Sequence, residues 1–231
     1  MMAKHSRLQR VISGSAALVL MSIAVVAEEK SDPPNRRTTA TTEWPSLKGV
    51  LAVEEVRALL NLNEEEQEEV ALFVRGRRSR YRDEDGPELP PLPPDAAPWQ
   101  FELRRQERRL RRILGDERYA RIRQLQAQAG GLPAAFTRDD PGLQLTVTPE
   151  QRSQARQAIR AAAEKMGDRF RSVPRDKYDE LARVRTELYE ALEPDLTGLM
   201  TDEQKEKWAA MTGEPADAAL ILRIRSLGGR Q

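Results

Sequence analysis

The sequence predicts an all-α fold made of two repeated helical-hairpin units of about 85 residues. Three observations predict it. Helix-start signals recur at matched spacings, apolar residues repeat at the helical period between them, and prolines and glycines fall between the periodic stretches. Two starts share one pattern: Val147-Thr148-Pro149-Glu150-Gln151 and Met200-Thr201-Asp202-Glu203-Gln204. Each threonine is placed to take the N-cap and accept the amide of the third helical residue. Each glutamine is placed to reach back to the cap backbone. Pro149 stands at the first helical position, where its missing N–H is no loss. Asp202 and Glu203 put negative charge at the positive end of the helix dipole.

Two weaker copies precede these. Leu62-Asn63-Glu64-Glu65-Glu66 has asparagine at the cap and glutamate at the third position. Leu114-Gly115-Asp116-Glu117-Arg118 has only Gly115 to cap, and Arg118 stands where glutamine is expected. Asn63 to Gly115 is 52 residues and Thr148 to Thr201 is 53; Asn63 to Thr148 is 85 and Gly115 to Thr201 is 86. That spacing divides the chain into unit 1, residues 47–130, a linker at 131–146, and unit 2, residues 147–231. A hairpin cannot bury its apolar stripe alone, so the units are expected to pack on each other or to form a homodimer.

Taken in order, residues 1–27 read as a secretory signal peptide. Lys4, Arg7 and Arg10 precede the uncharged run Val11 to Ala27, and Val25 and Ala27 suit a cleavage site. Seventeen helical residues span only ~25 Å against a hydrocarbon core of ~30 Å, so no stable membrane span is expected after cleavage. Residues 28–46, polar and carrying Pro33-Pro34 and a threonine run, are expected to be a disordered tether. Leu47 to Leu60 predicts a helix with Leu51, Val56, Leu59 and Leu60 roughly along one side. The helix capped by Asn63 continues with Val70, Phe73, Val74 and Tyr81. Six prolines in 83–98 predict a stiff spacer.

Trp99 to Leu114 predicts a helix with Trp99, Leu103, Leu110 and Leu114 on one side. Arg104, Arg105, Arg108, Arg109, Arg111 and Arg112 cover the other. They are candidate partner-binding residues, weighed against a solvated face that pairs with the acidic run Glu64 to Glu69. A short helix is expected to about Gln128, then a break at Gly130-Gly131 and a loop from Phe136 to Gly142, where Asp139-Asp140-Pro141 reads as a turn. Thr148 opens a helix with the stripe Ala155, Ile159, Ala162, Met166, Phe170. Tyr178, Leu181, Val184, Leu188 and Leu192 mark the next, which Pro194 is expected to stop. Thr201 opens the helix of Trp208 and Met211, and Leu220, Ile221, Ile224 and Leu227 mark a last amphipathic helix.

Composition narrows the function classes. Hydrophobic residues are 39% and charged residues 32% of the chain, a mix that suits thin helical layers with wide solvated faces. Beyond residue 27 there are 35 basic and 37 acidic residues, so no global charge draws the chain to nucleic acid. There is no cysteine, and the only histidine is His5, within the signal segment. Nucleophilic catalysis usually needs a base beside the nucleophile, most often histidine, and no catalytic fingerprint is present. The chain is therefore read as a non-enzyme with no cofactor and no metal site.

The recurring Leu-Thr-x-x-Gln pattern, here with Val147 or Met200 in place of leucine, resembles that of periplasmic proteins related to Spy and CpxP. Lys207-Trp208 through Thr212-Gly213-Glu214-Pro215 resembles the tail of larger members of that group. The resemblance implies an all-helical, periplasmic envelope-stress protein that binds protein clients in a chaperone-like way. The alternative it implies is a dedicated envelope regulator or structural partner. Metal sensing, known among relatives, is disfavoured, because Met166, Met200 and Met211 are scattered in the helical stripes and no histidine or cysteine joins them.

Overall fold

The computed structural model describes residues 44–77, 87–89, 91–92, 96–174 and 176–228, and every regular element among them is helical. The expected signal segment, most of the tether, and residues 83–86, 90 and 93–95 of the proline-rich spacer lie outside the described residues. Among the described residues no helix is long and apolar enough to cross a membrane.

Short helices come first: α1 (Leu47–Ala52), α2 (Glu54–Leu59) and α3 (Glu64–Val74). The sequence reads 47–60 as one helix, but Val53 is extended (φ −72°, ψ 122°) and divides it. The gain is burial: Leu47, Val50, Leu51, Val53 and Val56 are all sealed in one core. Then comes α4 (Pro98–Thr137), which Gly115 (φ 74°, ψ 168°) and Gly131 (φ 67°, ψ 175°) break into three segments. Pro98 sits in its first turn, where it is harmless.

The expected linker at 131–146 is not a linker. Residues 132–137 are the last segment of α4, and α5 (Asp139–Gln144) follows directly. Leu132, Ala135, Phe136 and Leu145 are buried. Pro133 and Pro141 look like breakers, but each falls in the first turn after a new start, where proline is tolerated. Two glycines make the turn workable. Gly131 takes a positive φ that disfavours any other residue. At Gly130 a Cβ would lie 2.3 Å from the Trp44 ring. Trp44 to Ser46 thus belong to the folded part and not to the tether. Gln126 also donates to the Pro45 carbonyl at 2.6 Å, and Ser46 caps α1.

The remaining helices are α6 (Pro149–Lys165), α7 (Gly167–Ser172), α8 (Tyr178–Gly198), α9 (Asp202–Thr212) and α10 (Ala218–Gly228). Pro194 does not stop α8, which runs on to Gly198. Pro194 is on the solvent side, as is Glu190, whose carbonyl the proline leaves without a helical donor, while Leu192 and Leu196 on either side of Pro194 stay buried.

Two apolar cores result. The first joins α1–α3, the first two segments of α4, and Ile224 of α10. The second joins Leu132, Phe136 and Leu145 with Ile159 of α6, Leu188, Leu192 and Leu196 of α8, and Met200. α10 packs on α1, α4 and α8. Arg225 pins it: the guanidinium donates to the carbonyls of Gln128 and Ala129 and to Thr186 Oγ1, and stacks 4.9 Å from the Tyr189 ring.

Candidate partner-binding site

The helix starts hold the most ordered polar chemistry of the chain. Thr148 Oγ1 accepts the Gln151 amide at 3.2 Å, and Gln151 Oε1 accepts the Thr148 amide at 3.0 Å. Thr201 and Gln204 make the same pair of bonds at the same distances. The two boxes then face each other. Gln151 Nε2 donates to Gln204 Oε1 at 2.8 Å and Gln204 Nε2 returns a bond to Gln151 Oε1 at 3.0 Å. The second proton of each amide goes to a backbone carbonyl across the gap: Gln151 to Leu199 at 2.7 Å, Gln204 to Thr146 at 3.3 Å.

Each side-chain amide has two donors and two acceptor lone pairs, and here every one is used. That matters because Gln204 is buried, at 6% exposure, where an unmade bond is costly. The clasp ties the start of α6 to the start of α9, 53 residues away.

Asn63, Glu66, Gly115 and Arg118 make a second clasp with different chemistry. Asn63 Oδ1 accepts the Glu66 amide at 2.9 Å, and Glu66 Oε2 accepts the Asn63 amide at 3.0 Å. Gly115 has no side chain to offer, and its extended ψ simply restarts the helix. Arg118, in the first turn after it, forks onto both Glu66 oxygens at 2.9 and 2.7 Å, and its Nε donates to the Leu114 carbonyl at 2.8 Å. A bidentate guanidinium–carboxylate pair thus stands where the other clasp has two amides.

The Arg118 guanidinium bound to it holds the Glu66 carboxyl below the usual carboxylate range. Its folded-state value lies under its unfolded one, so the clasp contributes fully at neutral pH and is lost on strong acidification. Sequence reading placed all four starts but missed that they meet in pairs. One signal could have found the pairing: Glu66 and Arg118 both replace glutamine, with opposite charge.

The arginine face of α4 is largely neutralised within the chain. Arg105 pairs with Glu102 at 2.7 Å, and Arg104 lies 4.0 Å from Glu107. Arg111 bridges Glu107 at 3.1 Å and Asp116 at 2.7 Å. Arg109 stands 3.9 Å from Glu69 of α3, donates to the Arg77 carbonyl and stacks on Phe73 at 5.4 Å. Arg108 and Arg112 are half-buried along the same helix. Among the described residues no group of three or more histidine, cysteine, aspartate or glutamate side chains could hold a metal ion.

The caps can be tested directly. Thr148→Ala or Thr201→Ala should lower the unfolding free energy by about 1 kcal/mol, and Thr→Asp at either site by much less, because aspartate can accept the same amide. Urea unfolding of the four variants checks this.

No family model, curated protein or solved structure matches the chain.

Proposed function

We propose that the chain is a two-unit helical scaffold of the cell envelope that holds protein clients in a chaperone-like way, as the resemblance to Spy- and CpxP-related proteins implies. The observation that carries this reading is recurrence of one device at matched positions. About 85 residues separate the Asn63 and Thr148 capping boxes, and the same interval separates Asn61 (φ 48°) from Thr146 (φ 56°), the non-glycine residues with positive φ just before them. It also relates α2 to α5, and α1 to the last segment of α4. A duplicated Leu-Thr-x-x-Gln unit is the architecture expected of a larger member of that group.

Exposed apolar side chains are in keeping with holding. Leu59 and Phe101 are 52% and 56% exposed, and Phe101 lies on the same helix as the arginine run. Apolar side chains among charges suit weak, promiscuous contacts. Light scattering by a heat-stressed or reduced model client tests the reading. Scattering should fall steadily as the protein rises from substoichiometric amounts to excess; unchanged scattering at excess contradicts it.

A further inference from the structure

The bend of α4 at Gly115 leaves a cleft of about 490 Å³, within the range of ligand sites, walled by both arms of the bend, α5 and α9. Leu103, Ala120, Ala210 and Met211 supply apolar wall, and the methionine can adjust to what meets it. The charged lining is Glu107, Asp116 and Asp140 against Arg111 and Arg123. Both guanidiniums are committed. Arg111 bonds Glu107 at 3.1 Å and Asp116 at 2.7 Å and lies 5.0 Å from the ring of Tyr119. Arg123 bonds Gln126 at 3.0 Å and Asp140 at 3.1 Å. Arg104 also stands 4.0 Å from the second Glu107 oxygen, but each carboxylate has about four lone-pair sites, so the acids keep some accepting capacity beyond these pairings. Asp116, 78% exposed, holds that capacity at the mouth. Burial pushes the Tyr119 hydroxyl up to about 12, so the phenol adds no charge near neutral pH.

We propose that this cleft docks a stretch of client polypeptide in which an apolar side chain stands beside a lysine or arginine. The apolar group fills the space between Leu103 and Met211, and the cation reaches the Glu107–Asp116 rim. The proposal rests on the client-holding function above and gives it a location.

The probes are three fluorescein-labelled peptides, Gly-Ser-Leu-Lys-Phe-Ser-Gly and its counterparts with glutamine or glutamate for lysine. Fluorescence anisotropy should show the lysine peptide binding about fivefold tighter than the glutamate one, with the gap closing as salt rises. Glu107→Gln with Asp116→Asn should abolish that preference. Ala210→Trp, which fills the cleft from an exposed helical position, should weaken all three peptides about tenfold, a loss of ~1.4 kcal/mol. Thermal unfolding checks that each variant is folded, and if Ala210→Trp is not, the charge variant decides. Equal binding of the three peptides, tighter binding of the glutamate peptide, or an Ala210→Trp affinity equal to the parent's overturns the proposal. Client aggregation separates the two levels. If the parent suppresses aggregation and the folded variants suppress it equally, the cleft is wrong and the holding function stands. If the parent binds the lysine peptide selectively yet suppresses nothing, the holding function fails and the cleft stands.

Discussion

Phe136→Ala should lower the unfolding free energy by about 3–5 kcal/mol, the largest loss expected of any single truncation in the second core. Phe136 is fully buried on the last segment of α4, among residues drawn from α6 and α8. Deleting its ring removes apolar contact from every side and leaves a void that fixed helices cannot close. Urea unfolding measures it. A linker residue would behave otherwise, with a change within about 0.5 kcal/mol, as at ordinary surface sites. The substitution therefore tests whether 131–146 is core.

Gln204→Glu should cost about 2–4 kcal/mol at neutral pH. The change is one atom, but it turns a double donor into an acceptor. Gln151 Oε1 and the Thr146 carbonyl both lose the proton they now receive, and a carboxylate is set against two oxygens in a nearly closed site. Burial and those oxygens raise the folded-state pKa of the new carboxyl above its unfolded value of ~4.3. The folded state then binds more protons than the unfolded one, so the penalty grows as pH rises through that range and shrinks on acidification. Glu66 behaves in the opposite sense, because its bound arginine lowers its pKa. Unfolding at pH 4 and pH 7 distinguishes the two. A variant equally destabilised at both would mean that the site is open to water.

These residues also mark what the sequence could tell. Caps are local: a threonine, a glutamine three residues on and an apolar run are enough to place the starts of α6 and α9. The 3.6-residue stripe of α8 is equally local. What joins two caps is tertiary, because Gln151 and Gln204 meet across 53 residues, and nothing in either motif names its partner. Residues 131–146 misled for a different reason. Gly130-Gly131, Pro133 and Asp139-Asp140-Pro141-Gly142 have the composition of a loop. Six-residue helices are too short to show a period, and first-turn prolines look like breakers when read without their position. Pro194 misled in the same way, since only its exposure explains why α8 runs through it.

Equivalence of the two clasps is tested most directly by building one in the place of the other. Gln151→Glu and Gln204→Arg, singly and together, would set the carboxylate–guanidinium pair of Glu66 and Arg118 at the starts of α6 and α9. Urea unfolding of the parent, both single variants and the double variant forms a double-mutant cycle. Equivalent clasps predict that each single variant is destabilised by about 2 kcal/mol, and that the double variant recovers most of the summed loss through a favourable coupling of more than about 2 kcal/mol, within the range measured for contacting pairs. A double variant no more stable than the sum of the single losses would contradict it.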